Sequence, residues 1–296
     1  MEYGTFKEEF RKRLQEELGE EAEVSFQSLE RNNGRKEEGM EVRRRGCAIA
    51  PVLHLDKLYQ DYQESGSLQG AVGWALKLLE EKPPVNAGAV PKTWSAARGN
   101  IRPELVNYGW NRERLGHVPH RKFLDLAVTY CLELPEIGDF QARIRITDSL
   151  MDVWGAKEED LYQEAMKGLG NESFHIQPIA ELMGGLSGKP SGEESEHSED
   201  MKQPYVLTNS VFCYGASGML RQDLMEEFAK QAGGSFYILP SSIHDLILLP
   251  DELSVNVECL KEMVKEVNKN EVAREEWLSE DVYYYDCEER KVKMAR

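Results

Sequence analysis

Apolar residues four apart open the chain. Phe6, Phe10, Leu14 and Leu18 form one stripe through "GTFKEEFRKRLQEEL", with charges on the other faces, and this spacing predicts an amphipathic helix over about 5–20. "EVSFQSLE" and "MEVRRRGCAIA" then flank "RNNGR", in which Asn33-Gly34 can take positive φ at both turn positions and so predicts a hairpin. After Pro51, "LHLDKLYQDYQESG" and "SLQGAVGWALKLLEE" predict two helices joined at Gly66. Residues 83–99, rich in Pro, Gly and Ala, read as a loop.

Further on, "IRPELVNYGWNRERLGHVPHRKFLDLAVTYCLEL" reads as a short strand, a helical turn and a longer strand at 123–133. The alternation in "ARIRI" suits a half-buried strand, and a helix is expected over 157–168. Residues 184–203, polar, acidic and rich in Gly and Ser, predict a mobile connector. Past it come a strand at "YVLTNS", a helix at "SGMLRQDLMEEFAKQAG", and two strands in "SFYILPSSIHDLILLP" around a turn at Ser241–His244. The helix expected at 255–269 carries Val257, Leu260, Met263, Val264 and Val267 on one face, and "DVYYYDCEERKVKMA" reads as a closing hairpin. The expected class is α+β, with a mixed, mainly antiparallel sheet flanked by helices. The expected segments are 1–95 (helix, hairpin and helix pair), 96–183 (a first α+β unit), the connector 184–203, and 204–296 (a second α+β unit). They can equally pack as one compact domain.

One phrase is nearly repeated. "ITDSLMDVWGA" (146–156) is echoed by "LTNSVFCYGA" (207–216), and the offset is 61 at Ile146/Leu207, 60 at Gly155/Gly215 and 62 at Pro178/Pro240. Thr147, Ser149, Gly155, Ala156, Ser173, Phe174, Ile176 and Pro178 match Thr208, Ser210, Gly215, Ala216, Ser235, Phe236, Ile238 and Pro240. Either the second part holds two repeated β-α-β units, which would pack as related halves of one sheet, or two common patterns coincide. The residues leave both open. In each unit a polar turn precedes a helix, and free helix amides there can bind an anion; ordinary capping and turn chemistry explains the same residues more simply.

Charge narrows the partners. The chain has 296 residues, with 53 acidic against 36 basic and a net charge of −17. Such a surface repels phosphate backbones and anionic lipid, so neither nucleic acid nor membrane is expected as a partner. Cys47, Cys131, Cys213, Cys259 and Cys287 are scattered and odd in number, without a CxxC pair, which argues against a disulfide framework and for reduced thiols. The opening residues lack the apolar centre of a secretory leader, and no apolar run approaches a membrane span, so a cytoplasmic location is expected.

Several separated stretches together resemble a known family. These are "AIAPVLHLDKLYQDYQESGSL", "LVNYGWNRERLGHVPHRKFLDLAVTY", "YVLTN", "YGASGML", "FYILPSSIHDLILLP" and "LSEDVYYYD". In that order they are similar to the domain-of-unknown-function family numbered 5688, common in anaerobic Gram-positive bacteria. The resemblance implies a cytoplasmic bacterial protein and no established activity. The family mostly has His-Glu after "PSS", where this chain has His244-Asp245. The acidic function survives that change with a shorter reach.

Two constellations invite chemistry. Ser241, Ser242, His244 and Asp245 are the residue types of an acyl-transfer triad, but a triad needs nucleophile, base and orienter to converge, and no GxSxG elbow is present. A polar turn presented for binding is the simpler reading. His117 and His120 beside Asp125 suggest a metal site, yet Pro119 interrupts any shared helix face, and a third ligand such as His175 is not assured. Neither GxGxxG nor GxxxxGK[ST] occurs, and no cofactor is expected. The functional expectation is a non-catalytic binding or adaptor protein for a protein or small molecule. Its candidate binding residues are Thr208, Asn209, Ser241, Ser242, His244, Asp245 and His120. The alternative is a hydrolase using the Ser241/Ser242/His244/Asp245 segment.

Overall fold

The computed structural model describes residues 1–45, 47, 50–81, 90–134, 143–181, 203–251 and 256–296. The chain divides into two compact units. One comprises Met1–Arg31, Arg35–Ala97 and Glu133–Ile144, and the other Asn32–Gly34, Arg98–Leu132 and Arg145–Arg296.

In the first unit, α1 (Tyr3–Leu18) buries Phe6, Phe10 and Leu14, three of the four stripe positions. β1 (Ala22–Glu30) and β2 (Lys36–Arg44) form the expected hairpin with Val24 opposite Val42, and β3 (Val52–His54) adds to β2. Asn33 and Gly34 have φ of 61° and 68°, as the turn signal requires. α2 (Leu55–Ser65) ends at Gly66, whose φ of 67° and bond from its N–H to Tyr62 O stop the helix before α3 (Leu68–Glu81). Phe6, Phe10, Leu14, Met40, Val42 and Leu58 are among the side chains that form this unit's core.

A short helix, α4 (Trp94–Ala97), stands in the stretch expected to be a loop; residues 82–89 lie outside the described ones. Then come β4 (Ile101–Asn107), α5 (Arg112–Leu115), β5 (His120–Phe123) and β6 (Leu126–Glu133). The single strand expected over 123–133 is thus a hairpin, with Phe123 opposite Leu126 and Leu124 at a φ of 57°. A two-residue turn between twisted strands needs positive φ, and leucine gives no sequence sign of taking it. Asp125 supports the strained residue: its carbonyl accepts Tyr108 N–H at 2.9 Å, and its carboxylate accepts the hydroxyls of Ser279 at 2.7 Å and Tyr283 at 2.9 Å.

β7 (Arg143–Arg145), α6 (Asp148–Trp154), α7 (Glu158–Gly170) and β8 (Phe174–Pro178) follow. Next are β9 (Tyr205–Asn209), a 3₁₀ turn at Gly215–Leu220, α8 (Gln222–Gln231), β10 (Phe236–Leu239), β11 (Leu246–Pro250), α9 (Val257–Glu271), β12 (Tyr283–Asp286) and β13 (Lys291–Met294). The acidic connector expected at 184–203 lies, up to residue 202, outside the described residues.

The fold is α+β. Among the described residues the strands form three sheets: β1–β2–β3; β4–β6–β5 with β7 beside β6; and a six-stranded sheet in the order β13–β12–β10–β11–β9–β8. Neighbouring strands in the six-stranded sheet run antiparallel. Successive residues of β10 point to opposite faces, so each face takes its own helix. Phe236 meets Phe228 of α8 at 4.8 Å between ring centres, while Leu239 packs with Leu260 and Val264 of α9. The face predicted for α9 is narrower than its apolar residues suggest. Met263 and Val267 are exposed, and the buried Asn268 takes a place on the inner side by donating to Ser279 O at 3.0 Å.

The echo has a mixed outcome. Both copies run strand, helical turn, helix, strand, but they are not equivalent halves of one sheet. β9 and β10 lie in the six-stranded sheet, whereas β7 pairs with β6 and only β8 joins that sheet. Edge placement leaves Phe174 and Ile176 of β8 half-buried, while Phe236 and Ile238 of the central β10 are fully buried.

Candidate functional site

Five of the seven candidate residues are tied into one structure around the β10–β11 turn. Ser242 is buried, and its Oγ accepts the backbone N–H of His244 at 2.9 Å and of Asp245 at 3.3 Å while donating to Asp245 Oδ2 at 3.3 Å. The Ser242 N–H closes the same turn on Asp245 O at 3.2 Å. This is ordinary serine turn chemistry carried through to full use of the hydroxyl. Thr208, at the end of β9, donates its hydroxyl to His244 O at 3.1 Å and so ties that strand to the turn.

His244 faces away from the serine. Its Nδ1 accepts the N–H of Tyr214 at 3.2 Å, its ring packs at 5.6 Å on that of Tyr214, and its Nε2 lies 3.8 Å from Glu276 Oε1. The backbone of Glu276 also accepts Ile243 N–H at 2.8 Å. The acid beside His244 is therefore Glu276, from a distant stretch of chain, and Asp245 serves Ser242 instead. Ser241 is half-buried and its hydroxyl makes no hydrogen bond among the described residues.

Asn209 governs the adjoining loop. It is buried, and its side-chain amide both accepts Cys213 N–H at 3.0 Å and donates to Cys213 O at 2.8 Å. The chain takes a φ of 52° at Phe212, between these anchors, and of 56° at Tyr214, just past them, left-handed positions that are strained for side chains of this size. Val211 and Phe212 stand out at the tip, 54% and 68% exposed. Gly215 follows because nothing larger fits: a Cβ there would lie 2.4 Å from His244 O and 2.8 Å from Asn209 N. The negative charge of Glu104, together with burial, pushes the Tyr214 hydroxyl far above the ordinary tyrosine range.

His120 belongs elsewhere. It lies on β5, its Nδ1 within 2.8 Å of Val118 O and its ring 5.9 Å from that of Tyr108. Asp125 is taken up by Ser279 and Tyr283, and His175 by the Ser210 hydroxyl at 2.8 Å, so these groups do not assemble around a common point. No group of three or more metal-ligating side chains occurs among the described residues. The helix-amide reading of the two polar turns also separates them. Thr147 caps α6 by accepting Leu150 N–H at 3.3 Å, whereas Thr208 and Asn209 lie at the end of a strand and cap no helix.

Sequence reasoning missed Glu276, Tyr214 and Gly215. Glu276 carries no local signal because it meets His244 only through folding. Gly215 had one, since it recurs at the same place in the echo.

The model of the family described as "Family of unknown function (DUF5688)" matches residues 3–287. The chain belongs to this family. Comparison with curated proteins and with solved structures finds no match. Among the described residues no helix is long and apolar enough to cross a membrane.

Proposed function

We propose that this DUF5688 member is a non-catalytic binding or adaptor protein of the cytoplasm, recognising a protein or small molecule and not nucleic acid. The observation that carries the reading is the use of the Ser242 hydroxyl. It is saturated by the backbone amides of His244 and Asp245 and by the Asp245 carboxylate, and among the described residues it has no bond to the His244 ring. A serine nucleophile needs a base within about 3 Å and donors waiting for an oxyanion. Here the base's Nδ1 is occupied by Tyr214 N–H, and the turn amides point at the serine itself. The turn therefore acts as a brace, and beside it Val211 and Phe212 offer exposed apolar surface on a loop held at both ends. The net charge of −17 supports the exclusion of nucleic acid.

The test is a fluorophosphonate probe applied to the whole protein. Neither Ser241 nor Ser242 is expected to be labelled above the level of the heat-denatured chain. Stoichiometric labelling of either serine, lost in His244→Ala, would make the protein a hydrolase and sink the binding reading.

A further inference from the structure

A cleft of about 320 Å³ lies in the second unit, walled by β5, β6, α7, α8 and the β12–β13 hairpin. Its apolar wall includes Val128, Met219, Met225 and Val292, and its charged wall consists of Arg121, Lys122, Arg290 and Lys291. Among the described residues no Asp or Glu lines it, in a chain whose net charge is −17. That local reversal of sign needs a reason.

Two of the cations are already satisfied. Arg121 holds Glu158 at 2.8 Å and Glu159 at 2.6 Å, and Arg290 is paired with Glu226, so the two arginines are engaged by three carboxylates and neither is left for a ligand. The other two are not. The Lys291 side chain makes no hydrogen bond or ion pair among the described residues, and the Lys122 ammonium lies over the ring of Tyr108 at 5.2 Å. Two lysines lining one cleft with no ion pair among the described residues leave positive charge there for an anion.

A second observation is independent of charge. Tyr285 forms part of the cleft wall and is 1% exposed, and its hydroxyl has no hydrogen-bond partner among the described residues. Its ring is stacked on Phe236 at 5.1 Å between centres and so cannot readily swing elsewhere. Native proteins rarely leave a buried hydroxyl unpaired, because it loses water and gains nothing. A ligand atom in the cleft supplies the missing partner.

We propose that this cleft binds an organic carboxylate with an apolar body, its head between Lys122 and Lys291, its body against Met219 and Met225, and one hydrogen bond to Tyr285. At the ~30 Å³ that a water molecule occupies in the liquid, the volume admits about ten non-hydrogen atoms. Octanoate and 3-phenylpropanoate have that size and chemistry.

The experiment titrates each of these two acids, and the uncharged alcohols 1-octanol and 3-phenylpropanol, into the full chain carrying ¹³C-methyl methionine. Saturable shifts of the Met219 and Met225 methyls by a carboxylate, with Kd below about 1 mM and at least tenfold tighter than its alcohol, support the proposal. The paired substitution Lys122→Ala with Lys291→Ala is expected to erase that tenfold preference without altering the spectrum of the ligand-free protein. Tyr285→Phe is expected to raise the melting temperature of the ligand-free protein and weaken carboxylate binding at least fivefold. Absence of saturable shifts, shifts confined to other methionines, equal binding of acid and alcohol, or unchanged binding in either variant would each overturn it. Fluorophosphonate labelling bears on the β10–β11 turn alone, so the two tests fail separately.

Discussion

Gly155 and Gly215 occupy the same place in two nearly identical phrases, yet the structure needs glycine there for different reasons. Gly155 ends α6 with a φ of 63°, and open space surrounds the position of a Cβ. Gly215 has no positive φ, but a Cβ would strike His244 O at 2.4 Å and Asn209 N at 2.8 Å, both backbone atoms that cannot swing aside. The first glycine answers a torsional demand, the second a demand for space. The same split runs through the neighbouring residues: Thr147 is exposed and caps a helix, while Thr208 is buried and binds the β10–β11 turn. Similar words thus do different work once one lies at a helix start and the other within a sheet.

The largest effect separates the two glycines. Gly155→Ala is expected to cost about 1 kcal/mol, the price of a left-handed L-residue with nothing in its way. Gly215→Ala must push backbone from backbone, and is expected to cost about 3 kcal/mol or more. Urea unfolding of both variants measures the difference. Equal losses would mean that the His244 carbonyl can yield, and that the contrast between the two sites is only apparent.

A smaller contrast lies in the polar residues. Thr147→Ala removes one helix cap, worth about 1 kcal/mol. Asn209→Ala strands both backbone groups of Cys213 in a partly buried loop, and about 2 kcal/mol is expected from the two lost bonds and the unpaired groups. Amide exchange at Cys213 should rise by more than tenfold in Asn209→Ala and stay unchanged in Thr147→Ala. An unchanged Cys213 amide in both would show that Phe212 and Tyr214 hold their conformation without Asn209.

Much of this fold was legible in the chain because its signals are local. Asn33-Gly34, the αL stop at Gly66 and the four-residue stripe of α1 each depend on a handful of neighbours, and each sits where the pattern put it. The break in the strand expected at 123–133 rests on Leu124, whose positive φ is supported through its neighbour Asp125 by Ser279 and Tyr283, over 150 residues away. The face of α9 was drawn too wide because apolar spacing cannot tell a buried Val264 from an exposed Val267. The candidate turn was located but not wired. Ser242, His244 and Asp245 are together as the sequence requires, but which acid serves which base was decided by Glu276 and Tyr214 arriving from elsewhere. The cleft beside Tyr285 left no motif, since its lysines come from two hairpins distant in the chain.

The smallest expected effect compares the helices that follow the two phrases. α7 begins with Asp160 accepting Lys157 N–H at 2.9 Å, a bond within one turn. α8 begins differently: Arg221 reaches back to Leu169 O at 2.8 Å and grips Asp223 Oδ1 at 2.7 Å. The hydrogen bond from Arg221 holds the Asp223 carboxyl below its ordinary value of 3.8, against a smaller opposing effect of burial. A carboxyl depressed in the folded chain releases its proton more readily there than when unfolded. Its stabilising contribution is therefore complete above the unfolded value and is lost as pH falls from about 4 through the lower folded value. Asp223 is 66% exposed at its side chain, so screening by water limits the contribution to a few tenths of a kcal/mol. Asp223→Asn should accordingly lower the urea midpoint slightly at pH 7, by progressively less as pH falls below about 4, and not at all in 1 M salt, where the ion pair is screened. A deficit that persists undiminished in 1 M salt would assign Asp223 a packing role independent of its charge, and would remove the electrostatic difference between the two helix starts.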